Sequence, residues 1–232
     1  MGAIGPAFEG ATDRDMRTPY SDAAGQSERV SDPSLRLDHV MYGVSDLDAA
    51  TATFETDYQL PVSDGGVHPD GTRNRVAWCA DRSYVELIAV DLPTSPQALW
   101  VQDEIAAGKR LLGWAIRTDD IAATSKRLGL PVVPGSIELP NGSTRSWRLV
   151  GVAAAMAEPW LPFFISYDQA RDPLAAPAAA VPDHLAWVEV AGDAARLRDW
   201  VGTPSLPVRV VEGVPGLRAV GLARGASEIV IR

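Results

Sequence analysis

Three histidines occur in the 232 residues, and two of them, His39 and His184, stand at matching places in a repeated pattern. Each lies ten residues ahead of an alanine pair, Ala49 with Ala50 and Ala194 with Ala195. A glutamate follows each on a later apolar segment: Glu86 between Val85 and Leu87, and Glu228 before Ile229, Val230 and Ile231. An imidazole on one strand and a carboxylate on a neighbouring strand form an N/O donor set. Such a set suits divalent Mn, Fe, Co, Ni or Zn with positions left open for substrate. Strand alternation puts His39 on one face with Met41 and Gly43, and Glu86 on one face with Tyr84 and Ile88; if both faces are concave, the two residues converge. The competing reading makes His39 a hydrogen-bonded core residue and pairs Glu86 with Arg73 or Arg75. For the second pair, His184 can simply end a linker and Glu228 can be an exposed carboxylate near the C-terminus.

The segment GGVHPDGTRN, residues 65–74, supplies the third histidine. Read as a substrate-gripping loop, it offers His68 as a further ligand or acid/base, with Thr72 and Asn74 as hydrogen-bonding partners. Read as a turn, it leaves His68 solvated. It contains no phosphate-cradling pattern, and no nucleotide cofactor is expected. Of seven tryptophans, Trp78, Trp114, Trp147, Trp160 and Trp187 fall in or beside apolar segments. The first three are candidates to line an aromatic pocket, with burial in the core as the alternative. The single cysteine, Cys79, forms no intramolecular disulfide and reads as a buried thiol.

The elements that position these residues repeat. HVMYGVSDLDAATATF, LGWAIRTDDIAATSKRL and HLAWVEVAGDAARLRDW share one plan: a strand, a turn containing Asp, and a helix opening on two alanines. The alanine pairs recur after 73 and 72 residues. Asp at these turns suits helix N-caps, and apolar residues then follow at helical spacing, such as Leu47, Ala50, Phe54 and Tyr58. Short strands are expected over 75–80, 84–89, 146–150, 162–167, 207–211, 217–222 and 228–231. A further helix over 96–107 is expected to open at Ser95 and Pro96 and to stop at Gly108. The expected unit is β-α-β-β-β, used three times, in an α+β fold. Its curved, cup-shaped mixed sheets carry helices on the outer face. Residues 1–34 lack periodicity and read as a flexible arm. Residues 35–168 hold two modules, about 37–91 and 110–168. An Ala/Pro connector spans 169–182 and a third module 183–232. The middle module has Leu112 and Gly113 at the histidine place and Phe163 to Ser166 at the glutamate place, so it supplies no ligand.

With 30 acidic against 21 basic side chains and a formal charge of −9, the chain lacks the basic surface that nucleic acids and anionic membranes require. No apolar stretch reaches bilayer length, and the N-terminal text lacks the apolar region of a secretory signal, so a cytoplasmic protein is expected. A homodimer follows if module three pairs across chains rather than covering an open sheet edge in its own chain.

LDHVMYGVSDLDAATATFE, HPDGTRNRVAWCADRSYVELIAVD and the segment from WRLVG to PWLPFFISYD resemble the vicinal oxygen chelate superfamily, within it the glyoxalase-like domain proteins. The resemblance covers about residues 36–232. It implies paired modules forming a cup around a divalent metal that chelates vicinal substrate oxygens. The implied ligands are His39 and Glu86, with His184 and Glu228 as counterparts. It also implies an enzyme of lyase, isomerase or hydrolase type, acting on a small oxygenated metabolite through a metal-stabilised enolate or oxyanion, with Glu86 or His68 moving a proton. The alternative is a non-catalytic protein that binds or sequesters a small apolar molecule.

Overall fold

In the computed structural model the described residues are 35–168, 181–202 and 206–232. The expected arm lies outside them, as does all but the end of the Ala/Pro connector. Each of the three alanine-opened helices begins where an aspartate caps it. Asp46 accepts from the backbone N–H of Asp48 and Ala49 at the start of α1 (Leu47–Asp57). Asp120 does so for α3 (Ile121–Leu128) through Ala123, and Asp193 for α5 (Ala194–Val201) through Ala195 and Arg196. These caps satisfy backbone donors that the first helical turn leaves unpaired. Ser95 caps α2 (Pro96–Ala106) in the same way, with Pro96 at its first position.

Eight strands close a barrel in the order β1-β4-β3-β2-β6-β7-β8-β5. The first module gives β1 (Arg36–Gly43), β2 (Ser63–Val67), β3 (Thr72–Trp78) and β4 (Tyr84–Val90). The second gives β5 (Leu111–Arg117), β6 (Val133–Glu138), β7 (Thr144–Val150) and β8 (Phe163–Tyr167), with a short helix α4 (Val152–Ala157) before β8. The opening strand of each runs parallel to its last strand, β1 with β4 and β5 with β8. The two halves join through an antiparallel β1–β5 seam and a thin second seam where Val67 faces Glu138. That second seam needs Gly66: a Cβ there would stand 2.0 Å from the Glu138 carbonyl oxygen. Neither β2 (SDGGV) nor β6 (VPGSIE) shows the apolar alternation that marks a strand in sequence. Both are edges of their modules, recruited by pairing across the seam. The glycine-rich stretch is therefore mostly the β2–β3 hairpin, with a tight turn at residues 68–71.

Helix α1 packs on β3 and β4, and α3 on β7 and β8. Helix α2 packs on β1 and β4, and its Val101 joins Met41, Ile88 and Leu112 in a small apolar cluster. The chain after the connector forms its own four-stranded sheet, β10-β9-β11-β12, from β9 (His184–Ala191), β10 (Val208–Val211), β11 (Gly216–Arg224) and β12 (Ser227–Ile231). Its element order is again strand, helix and three strands. Its neighbour order differs from that of the first two modules: β10 lies beside β9, and β11 separates β9 from β12. The barrel has no open edge to cover. Instead β9 packs on β1 and β11 on β5, and Val188, Val190, Leu197 and Val220 share one hydrophobic core with Val40, Trp114 and Phe164. Trp200 of α5 ties this sheet to the second module by donating its indole N–H to the Pro162 carbonyl at 2.8 Å. No helix among the described residues is long and apolar enough to cross a membrane.

Cys79, directly after the last residue of β3, is fully buried. Burial, partly offset by a hydrogen bond with Ser83, pushes its thiol up to about 12 from an ordinary 9.0. The native thiol is then the neutral, unreactive form, and unfolding releases a thiol that ionises near 9. Because the folded value is the higher one, this contribution to stability is complete below pH 9 and declines from there toward pH 12. Ellman's reagent at pH 8 is expected to label Cys79 only at the rate of unfolding, and Cys79→Ala should remove part of the alkaline loss of stability. Rapid labelling of the native protein would contradict this placement.

Candidate active site

The barrel encloses a cavity of about 490 Å³. Its wall includes His39, Met41, Tyr84, Glu86 and Ile88 from β1 and β4, so the faces that strand alternation grouped around His39 and Glu86 are both concave. The second module lines the opposite side mainly with Leu112, Gly113, Trp147, Phe163 and Ile165. The cup therefore has one polar wall and one largely apolar wall.

Glu86 is the centre of the polar wall and is 6% exposed. It pairs with neither Arg73, which faces Asp91, nor Arg75, which faces Asp48 and Asp64. Its partner is Asn74, whose side-chain N–H donates to Glu86 Oε1 at 2.6 Å. The amide of Asn74 is oriented by its other end, where Oδ1 accepts from the Gly66 backbone N–H at 3.0 Å. Gly65 leaves the room this requires, since a Cβ there would fall 1.8 Å from Asn74 Oδ1.

Two imidazoles flank the carboxylate. His39 Nε2 lies 4.0 Å from Glu86 Oε2, and His68 Nε2 lies 3.9 Å from Oε1. The other nitrogen of each ring is committed elsewhere. His39 Nδ1 is 2.8 Å from Asp38 Oδ1, an ion-paired carboxylate that can only accept. His68 Nδ1 is 2.9 Å from Thr72 Oγ1, whose hydroxyl proton goes to Asp70 Oδ1 at 2.7 Å. In both neutral rings, then, Nδ1 carries the proton and a bare Nε2 faces Glu86. Lone pairs opposite carboxylate oxygens repel, and a proton taken up on either Nε2 converts the contact into a charge-assisted attraction. Aromatic contacts hold the rings: Tyr84 stacks on His39 at 4.6 Å, Phe163 meets it edge-on at 5.4 Å, and Trp147 meets His68 edge-on at 6.1 Å.

Of the residues expected to act at a site, His39, His68, Asn74, Trp78, Glu86 and Trp147 line the cup. Thr72 is fully buried and bonds His68. Trp114 belongs to the core instead. It pairs with Val40 across the β1–β5 seam, on the face away from His39, and donates its indole N–H to the Trp160 carbonyl. His184 and Glu228 are exposed on the second sheet and do not line the cup. Strand β11 stands between them, both pairing with its Ala223, and Glu228 accepts from the Trp187 indole at 2.5 Å. Sequence reasoning missed Asp38, Arg117 and Tyr167, although Asp38 directly precedes His39. It also missed Trp100 and Gln97, which α2 brings to the cavity wall.

Two barrel-forming β-α-β-β-β modules, with a polar centre on β1 and β4, define a vicinal oxygen chelate fold. The sequence matches the family described as Glyoxalase-like domain over residues 37–202, more than two thirds of the chain, and the protein belongs to that family. No curated protein matches it in sequence. Among solved structures it is similar to a hypothetical protein from Staphylococcus aureus, at 14% identity over 79% of this chain and 88% of that one, with a TM-score of 0.60. It is also similar to a variant of Streptomyces coelicolor methylmalonyl-CoA epimerase in complex with 2-nitronate-propionyl-CoA, at 20% identity over 60% and 99% of the two chains, with a TM-score of 0.45. A hypothetical protein from Bacillus halodurans matches at 17% identity over 60% and 99%, with a TM-score of 0.43.

Members of the superfamily commonly hold a divalent metal, and the donors present here do not fit one. The resemblance implies ligands from both modules, whereas β5 and β8 offer Gly113, Phe163 and Ile165 to this cup. Among the described residues no group of three or more His, Cys, Asp or Glu side chains is arranged to hold a metal ion. Elemental analysis of protein purified without a polyhistidine tag is expected to find metal well below one equivalent in both wild type and His39→Ala. Near-stoichiometric metal that the substitution removes would reverse this conclusion.

Proposed function

We propose that the protein is an enzyme that moves a proton on a small oxygenated carbon acid with an apolar body, using Glu86 and the two histidines rather than a metal. One observation carries the reading: a buried carboxylate lies between two imidazole Nε2 atoms, each 3.9–4.0 Å away and each bare in the neutral ring. A reacting C–H next to a carbonyl needs a base on one side and a donor to the developing oxyanion on the other. Within the cluster, either imidazole can take the proton while the carboxylate stabilises the cation formed. The protonated ring then returns the proton, or donates to the substrate oxygen. The apolar wall of Leu112, Phe163, Ile165 and Trp147 holds the remainder of the substrate and excludes water, which strengthens each of these contacts. A cavity of about 490 Å³ suits a ligand of small-metabolite size.

The reading is tested by incubating the protein in D₂O with 2-oxo acids, 2-hydroxy ketones and 3-oxo esters that bear aryl or alkyl groups, and following exchange of the acidic C–H by proton NMR. Wild type is expected to accelerate exchange in one of these classes. Glu86→Gln, which keeps the Asn74 contact in part but loses the charge, should lower the rate by roughly 10²–10⁴-fold. Tryptophan quenching by the same compounds with no exchange in any of them would favour a sequestering protein over an enzyme.

A further inference from the structure

Asp38 is fully buried, and the backbone departs from regular pairing to put it where it is. Between the pairs Leu37–Ile116 and His39–Ala115, β1 uses one residue more than β5, so Asp38 is the extra residue of a β-bulge. In a regular strand the side chains of Asp38 and His39 would leave opposite faces. The bulge re-aims one of them, and Asp38 Oδ1 comes to 2.8 Å from His39 Nδ1. The second module fixes the carboxylate. Arg117 of β5 donates from Nε to Oδ2 at 2.8 Å, Tyr167 of β8 donates its hydroxyl to Oδ1 at 2.8 Å, and the Arg117 guanidinium lies over the Tyr167 ring.

We propose that Asp38 is the positioning residue for His39, and that the second module acts on the catalytic centre through it by way of Arg117 and Tyr167. The inference rests on the proton-transfer reading of the cup. An acceptor-only carboxylate at Nδ1 compels the Nδ1–H form of the ring, which leaves Nε2 bare toward Glu86 and lets the imidazolium be stabilised once it forms. Asp38 touches no substrate. It sets which nitrogen of His39 can receive a proton.

Asp38→Asn separates this role from simple packing. Arg117 offers only donors, so it holds the amide oxygen on its own side and turns the amide NH₂ toward His39. Nδ1 must then accept, and the ring proton moves to Nε2, where it faces Glu86. Long-range ¹H–¹⁵N correlation spectra of the ¹⁵N-labelled protein read the tautomer of each histidine without any substrate. The expected result is Nδ1–H for His39 in wild type and Nε2–H in Asp38→Asn, with His68 remaining Nδ1–H in both because its Thr72 contact is untouched. His39 in the Nε2–H form in wild type, or unchanged in a variant whose His68 signal shows an intact site, overturns the proposal. Should Asp38→Asn not fold, Tyr167→Phe decides. Losing a competing donor to Oδ1 is expected to shift the His39 Nδ1–H proton downfield, and an unchanged shift overturns the proposal. Absence of C–H exchange in wild type would refute the enzyme reading and leave these spectra unaltered, so the two failures are distinguishable.

Discussion

Two carboxylates, Asp38 and Glu86, are buried in or beside a largely apolar cup, and each must find donors nearby. An ionised carboxylate removed from water without compensation costs far more than a domain's net stability. The surrounding backbone must therefore hold specific partners within hydrogen-bonding reach. For Glu86 that partner is Asn74, and the orientation of its amide depends in turn on the Gly66 N–H and on the absence of a side chain at Gly65. For Asp38 the partners cross the barrel from β5 and β8. The hairpin turn, the bulge in β1 and both seams of the barrel all serve these contacts.

The same demand explains why the two modules differ although they share a topology. In the first, β1 and β4 lie side by side and parallel, so a histidine and a glutamate two positions out of register face the cavity together. The second repeats the geometry with Gly113, Phe163 and Ile165, and at the ends of β5 and β8 its Arg117 and Tyr167 reach Asp38. One copy carries the buried carboxylate and the two histidines beside it. The other supplies the apolar wall and the counter-charge that holds the first in place. The sheet formed by the last part of the chain stands outside this division, packed on the outer faces of β1 and β5.

Much of this was legible from the residues. The Asp caps and alanine pairs located three helices, and the alternation grouped His39 with Met41 and Glu86 with Tyr84 and Ile88, all of which stand on the cavity wall. What stayed hidden depended on pairing between distant strands. Trp114 reads as a pocket residue until Val40 is seen opposite it on the outer face. His184 and Glu228 echo His39 and Glu86 in spacing. Spacing along the chain does not determine which strands become neighbours, and β11 separates them. The short strands β2 and β6 show no apolar period because their residues are chosen for a close approach of backbones. The bulge at Asp38 is a property of two strands together, so nothing in LRLDHV alone announces it.

The distribution of polar groups also bears on whether the cup transforms its ligand or merely holds it. A pocket for an apolar molecule gains affinity from area and shape, and Trp78, Trp100, Trp147 and Phe163 already supply these. Adding a buried carboxylate opposite two imidazoles works against that purpose, because each unpaired charge weakens the burial of an apolar ligand. The expense becomes intelligible if charge changes hands during the event that the cup performs. Both histidines have Nδ1 tied down and Nε2 free toward the same carboxylate. On the proposed reading, a proton that arrives at, or leaves, that point makes use of all three groups.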